Sequence, residues 1–385
     1  MKIGIIGSIA KPVSTTSTGG AEVFCADIAN AFVNRGHDVY LFASGDSEVD
    51  EKVHLIPSIE HSFVSIKQNF IQTFNREPNS VEKKELINSA NTRTLFKAKE
   101  YENKLDLFHD NTCSLISGSV SNLYKKPIVT TMHMPVSENS DYLYYPDLIT
   151  HSNNYFISVS QFQEKQFPRT YKHIYNGINI NNFPFIESPH TNRLVWVGRI
   201  SPDTNKGLKE AITATQICNK ELAFVGSISN QKYYEEEIKP LLREKYIYSS
   251  LQFNSLSEKG IFFGNAKACI LPIMWEDPFP YVVLEAMATG TPIIGFARGS
   301  FPESIIDGKT GFLVNPSNND IRGNFVIKKT GIEGICEGIR KMYSLNEIEY
   351  KQMRKNCHER IQKTFSIETM ISKYLDLYTE ILLKQ

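Results

Sequence analysis

The run Trp275-Glu276-Asp277-Pro278-Phe279-Pro280-Tyr281-Val282-Val283-Leu284-Glu285-Ala286-Met287-Ala288-Thr289-Gly290 sets two carboxylates, Asp277 and Glu285, with seven residues between them. Prolines bound a loop, a helix starts near Pro280 or Tyr281, and Gly290 ends it. Asp277 thus falls on the loop and Glu285 about a turn into an otherwise apolar helix. A carboxylate buried there is costly unless it is paired or hydrogen-bonded. Two kinds of partner suit it, the hydroxyls of a ribose or an internal Lys or Arg. The helix start offers free N–H groups to a phosphate. Upstream, Gly198-Arg199 closes an expected strand and Lys206-Gly207 precedes a helix. An arginine fork with a lysine point charge at a strand's carboxyl end can clamp a diphosphate, and two basic residues near a turn are also an ordinary solvated surface. Near the start, Ser14-Thr15-Thr16-Ser17-Thr18-Gly19-Gly20-Ala21-Glu22 opens the first helix. Its paired glycines would let backbone amides approach an anion, with a flexible connector as the competing reading. Gly4 and Gly7 lie too early for G-x-G-x-x-G, which argues against a dehydrogenase.

These residues need elements to hold them. Short β-rich runs alternate with helical patterns, which is α/β construction around parallel sheets. Strands are expected at 2–6, 39–43, 105–108, 128–132 and 156–160. A helix over 21–35 carries Phe24, Ile28, Ala31 and Phe32 at helical spacing, and Gly36 closes it. The stretch 47–104 is more polar, and 81–104 reads as a long exposed helix. An Asn-rich turn near Tyr175-Asn176-Gly177 breaks the pattern. A second series of strands follows at 194–197, 222–225, 269–272, 293–296 and 312–314. The expected organisation is a first Rossmann-like domain over 1–176 and a second over 177–365. A terminal helix over 366–385, with Ser366 as N-cap, returns to the first domain.

Composition excludes more than it assigns. The chain has 385 residues, 41% hydrophobic and 22% charged, with 42 basic against 42 acidic side chains. That length suits two domains, and the zero net charge excludes a dedicated nucleic-acid-coating protein. The six cysteines are scattered without a C-x-x-C pair and read as reduced thiols. The first apolar run is too short for a signal peptide, and no stretch reaches 18 apolar residues. The expected compartment is the cytoplasm, with membrane contact at most peripheral. Lys67, Lys83, Lys84, Lys97 and Lys99 could touch a membrane surface, but neighbouring acids make a solvated helix the better reading.

Taken in order, the motifs resemble the retaining glycosyltransferases of family 4, whose GT-B fold pairs two Rossmann-like domains around a cleft. The likeness runs through Gly19-Gly20-Ala21-Glu22, Arg35-Gly36-His37-Asp38-Val39, Asp106-Leu107-Phe108-His109 and Thr130-Thr131-Met132-His133. It continues through Ser158-Val159-Ser160, Ile174-Tyr175-Asn176-Gly177-Ile178, Val197-Gly198-Arg199 to Lys206-Gly207, and the acid pair. It ends at Pro302-Glu303 and Asp307-Gly308-Lys309-Thr310-Gly311-Phe312.

The resemblance implies roles. Arg199 and Lys206 would hold the diphosphate and stabilise the leaving group. Glu285 would bind the ribose, and Asp277 would face the donor sugar. Phe279, Pro280 and Tyr281 would lie along that sugar, Val282 and Val283 near the phosphates. Gly19 and Gly20 would close the diphosphate site from the other domain. His133 would stand near the reacting sugar and the acceptor. His109 would either line the cleft on the acceptor side or make a strand-end hydrogen bond. No metal and no cofactor are expected, and the substrate would be a nucleotide-sugar, UDP-linked. The acceptor would be a glycan or lipid-linked sugar in cell-surface polysaccharide or lipopolysaccharide synthesis. Four departures from the family bear on the donor sugar. Asp277 replaces Glu, Pro280 replaces Gly, two residues are added between Arg199 and Lys206, and Asn254-Ser255 stands where a glycine is usual. A nucleotide-sugar epimerase and a non-catalytic nucleotide-sugar-binding subunit are the rival readings.

Overall fold

The computed structural model describes residues 1–385 except 115, 136–152, 168, 203–204, 243–246, 251–252, 254 and 385. The chain divides into two compact units, Met1–Asn176 with Met370–Gln385, and Gly177–Thr369.

Unit 1 holds seven parallel strands: β1 (Lys2–Ile6), β2 (Asp38–Ser44), β3 (His54–Ile59), β4 (Leu107–Asp110), β5 (Ile128–Met132), β6 (Asn154–Ser158) and β7 (Lys172–His173). Their spatial order is β3-β2-β1-β4-β5-β6-β7. The near-continuous apolar runs of the central strands suit a sheet covered on both faces. At their carboxyl ends the pattern changes, and His109, Asp110, Thr130 and Thr131 are buried polar residues. β4 lies two residues further along the chain than the apolar run suggests, because His109 and Asp110 pair with Ile5 and Ile6 of β1.

Helices of eight residues or more are labelled. α1 (Gly20–Asn34) buries Phe24, Ile28 and Phe32, and the chain leaves it through Gly36 at φ +79°. α2 (Phe63–Phe74) and α3 (Ser80–Lys99) occupy the polar stretch. α3 is not the exposed helix expected from its lysines. It buries Asn91, Thr94, Leu95 and Ala98, the last two in a cluster with Phe42, Phe108 and Tyr124.

Unit 2 holds six parallel strands: β8 (Leu194–Val197), β9 (Leu222–Val225), β10 (Ile247–Ser250), β11 (Ala268–Leu271), β12 (Ile293–Phe296) and β13 (Gly311–Val314). The order is β10-β9-β8-β11-β12-β13. Its helices are α4 (Leu208–Ile217), α5 (Leu256–Gly264), α6 (Tyr281–Ala288), α7 (Gly331–Ser344) and α8 (Glu347–Thr364). Arg354 of α8 is fully buried and donates to the carbonyls of Ile186 and Gly264 at 2.8 Å, Ala266 at 3.1 Å and Thr289 at 3.3 Å. Its guanidinium so ties together the carboxyl ends of α5 and α6, where helix carbonyls lack intrahelical partners.

The last helix, α9 (Ile367–Leu382), buries Met370, Tyr374, Leu377, Tyr378 and Ile381. From Met370 on it belongs to unit 1. The Tyr378 hydroxyl lies 2.6 Å from His109 Nδ1, and the Tyr374 hydroxyl 2.8 Å from Thr131 Oγ1.

Candidate active site

In each sheet the chain winds outward in one direction and then the other, which leaves a crevice at the carboxyl edge where the direction reverses. In unit 2 that point lies between β8 and β11. The loop after β8 carries Arg199 and Lys206, and the loop after β11 carries Asp277. Lys206 is tightly seated: Trp196 Nε1 donates to its carbonyl at 2.9 Å, and Gly207 follows at φ +76°. A Cβ on Gly207 would meet the Pro272 carbonyl oxygen at 2.0 Å, so the turn requires glycine. The Lys206 ammonium lies 3.0 Å from Asp277 Oδ2 and 5.3 Å from the centroid of the Trp275 ring. Arg199 is exposed, and no described residue pairs with it. Between the two, residues 203 and 204 lie outside the described residues, as does Asn254.

Glu285, 7% exposed, has taken an internal partner, since Lys259 Nζ of α5 lies 2.6 Å from its Oε1. Its Oε2 is buried and meets no donor among the described residues. Nearby, Trp275 Nε1 and Ser300 Oγ are buried and equally unmatched. Buried polar atoms without partners among the described residues also occur elsewhere in both units, Asn91 Oδ1, Asp110 Oδ2 and Glu210 Oε2 among them.

Pro280 is the N-cap of α6, and Tyr281 begins it. The Val283 N–H donates to the Pro280 carbonyl at 3.2 Å, and its side chain is in the core. The Val282 N–H remains at the helix start. The Phe279 ring is buried against Phe365, with centroids 5.4 Å apart, rather than laid open along a sugar.

A ring of charges frames the Asp277 loop. Glu276 accepts from Arg298 at 2.8 Å and from both Nη atoms of Arg322, at 2.7 and 2.9 Å. Asp320 bridges Arg298 at 3.0 Å and Arg322 at 2.6 Å. Glu276 also accepts from the Gly299 N–H at 2.7 Å, and the Ser300 N–H donates to the Asp277 carbonyl at 3.1 Å. Burial alone would raise the Glu276 pKa, but these donors hold it below its ordinary value.

In unit 1 the corresponding reversal lies between β1 and β4. Gly19 is the N-cap of α1, and Gly20, its first residue, is exposed. Glu22 of the first turn is buried, and a Cβ on Gly19 would come 1.9 Å from its Oε2. The positive helix end is thus already faced by a carboxylate. His133 sits just past β5, its Nε2 2.9 Å from Asn111 Oδ1, and its ring meets Phe24 edge-on at 4.7 Å. Asn111 Nδ2 donates to the His109 carbonyl, so Oδ1 is the acceptor and His133 carries its proton on Nε2. Burial pushes its pKa down to about 3, which leaves Nδ1 a neutral acceptor. His133, Met132, Thr131 and Cys113 line a cavity of about 30 Å³, room for one water.

His109 does not line a cleft. It is 0% exposed, and both ring nitrogens are engaged, Nε2 with Thr131 Oγ1 at 2.7 Å and Nδ1 with the Tyr378 hydroxyl. Burial holds its pKa well below the ordinary value. Its work is to seat α9, not to meet an acceptor.

Two family models match adjoining stretches of the chain, Glycosyltransferase Family 4 over residues 18–182 and Glycosyl transferases group 1 over residues 180–322. The chain belongs to the family 4, group 1 glycosyltransferases. This glycosyltransferase is 24% identical over 347 residues to an uncharacterized glycosyltransferase of Methanocaldococcus jannaschii, spanning 78% of the chain and 83% of the relative. Its fold is similar to sucrose-phosphate synthase from Thermosynechococcus elongatus, with TM-score 0.75 and 17% identity over all of both chains. It is also similar to Anabaena HepE in complex with UDP and glucose, with TM-score 0.69 and 20% identity over 99% of this chain and 100% of that one. The architecture is GT-B. Lys259, Arg298, Asp320 and Arg322 stand outside the motifs, and Glu22 and Glu276 stand inside them without an assigned role. Glu22 could have been found as the acid in the first turn of α1. Lys259 approaches Glu285 only through the tertiary fold.

Proposed function

We propose that this glycosyltransferase moves a sugar from a UDP-linked donor to a hydroxyl of a glycan or lipid-linked acceptor, with retention at the anomeric carbon and without a metal ion. One observation supports it above the others. At the reversal point of unit 2, Lys206 stands against Asp277, while Glu285 keeps a buried, unmatched carboxylate oxygen. A basic side chain for phosphate, an acid for sugar hydroxyls and an acceptor for ribose make up a nucleotide-sugar site.

In this reading the bond from the anomeric carbon to the diphosphate oxygen breaks with its electron pair passing to that oxygen. Arg199, Lys206 and the α6 start absorb the developing charge. The acceptor hydroxyl bonds to the anomeric carbon on the same face, and its proton passes to the departing phosphate. No covalent enzyme intermediate is required. His133, neutral and with no partner for Nδ1 among the described residues, would accept a hydrogen bond from a hydroxyl of the sugar or the acceptor. HepE was solved with UDP and glucose, which supports a UDP donor here. The family resemblance supports a place in cell-surface polysaccharide or lipopolysaccharide synthesis.

The test is transfer from a panel of nucleotide-sugars by Arg199→Ala and Lys206→Ala. Each is expected to lose about 100-fold or more in kcat while its circular dichroism is unchanged. Wild-type rates in either variant would overturn the mechanism.

A further inference from the structure

Lys259 belongs to no motif and faces no open surface, yet it holds one oxygen of the acid that the proposed site needs. The Lys259 and Glu285 side chains are 21% and 10% exposed, and their charged atoms are 2.6 Å apart. A carboxylate this buried is strongly destabilising without a cation beside it. The ammonium supplies that cation and also takes one of the two oxygens. What remains for any ligand is Oε2, buried and without a donor among the described residues. The two helices that carry the pair are fixed by the same side chain. Arg354 binds the Gly264 carbonyl at the end of α5 and the Thr289 carbonyl at the end of α6. The direction of Oε2 is therefore set by rigid elements before a ligand arrives, which lowers the ordering cost of binding.

We propose that Lys259 is a positioning residue for nucleotide recognition. It holds the Glu285 carboxylate in one orientation, so that Oε2 accepts from the ribose hydroxyls, and it does not touch the nucleotide itself. This rests on reading Glu285 as the ribose acid of the site proposed above.

The experiment compares titration calorimetry of the full chain and of Lys259→Met and Lys259→Arg. The probes are uridine diphosphate and 2′,3′-dideoxyuridine diphosphate, with the adenosine and guanosine pairs in parallel. Lys259→Met keeps the length of the side chain and removes its charge. It is expected to lose about 10–100-fold in affinity for the ribonucleotide, the range of a hydrogen bond to a charged group. Lys259→Arg is expected to restore most of that loss. With the dideoxy nucleotide, wild type and Lys259→Met should agree within about threefold, because the hydroxyls that Oε2 reads are gone. At saturating donor, kcat in Lys259→Met should stay within about twofold of wild type while KM rises.

Equal losses for both nucleotides would show a merely structural lysine, and no loss for either would show an idle one. Either result overturns the proposal. If Lys259→Met does not fold, Lys259→Gln takes its place in the same comparison. A wild-type chain that binds none of the three nucleoside diphosphates would instead overturn the functional reading, and the two failures are thereby distinguished.

Discussion

Asp277 and Lys206 occupy each other, an arrangement that a diphosphate and a sugar would have to rearrange. Asp277→Asn should therefore leave nucleoside diphosphate affinity unchanged or raise it, because Lys206 loses its competing carboxylate. The same variant should lower kcat by at least about tenfold if the acid holds the sugar. Calorimetry and transfer rates read the two effects separately, and parallel losses in both would contradict the assignment. The two histidines of unit 1 make a second prediction at this scale. Both have folded-state pKa values below the ordinary one, so the unfolded chain binds more protons as pH falls below about 6.5. For His133, stability present near neutrality is lost as pH falls from about 6.5 toward about 3, by up to about 1.4 kcal/mol per pH unit, and His109 adds to the loss in the same direction. Urea unfolding between pH 4.5 and 7 should show a shallower pH dependence for His133→Gln than for wild type. Equal slopes would mean that His133 charges freely in the folded protein.

Among the elements, the central strands were legible because parallel strands covered on both faces read as unbroken apolar runs. Residues 2–6, 128–132, 194–197, 222–225 and 293–296 became strands at those bounds. The edges were not. β3 contains Pro57, β7 is two residues long, and β10 lies at the margin of its sheet, so each lacks the long apolar pattern that periodicity detects. The site shows the same division. Arg199, Lys206, Asp277 and Glu285 stood out by residue type and spacing. Lys259 and the charge ring did not, since they meet their partners only once the chain is folded. Arg354 belongs with them, a charged side chain inside the core that no local pattern marks. Arg354→Met would leave four carbonyls without their donor and loosen the α5–α6 pair. We expect a loss of about 3–5 kcal/mol in urea unfolding. A loss under about 1 kcal/mol would show that the carbonyls find other partners.

Over the whole molecule, 42 basic and 42 acidic side chains cancel. That balance is repeated at the unit 2 crevice, where Lys206 faces Asp277 and Lys259 faces Glu285, while Arg199 is exposed. A nucleoside diphosphate at about 100 times its Kd should stabilise the folded chain by about 2.7 kcal/mol, visible as a raised unfolding midpoint in calorimetry. No shift with any base would count against a nucleotide site. Among the described residues no helix is long and apolar enough to cross a membrane.

The return of α9 to unit 1 also sets an order in time. Residues 370–385 leave the ribosome after all of unit 2 has been made, yet Tyr374 and Tyr378 complete the hydrogen bonds of Thr131 and His109. Unit 2 is one continuous stretch and can finish folding while it is being synthesised. Unit 1, made first, must wait with its polar core half assembled. A message truncated before codon 370 therefore yields a chain whose older half is the one left unfinished.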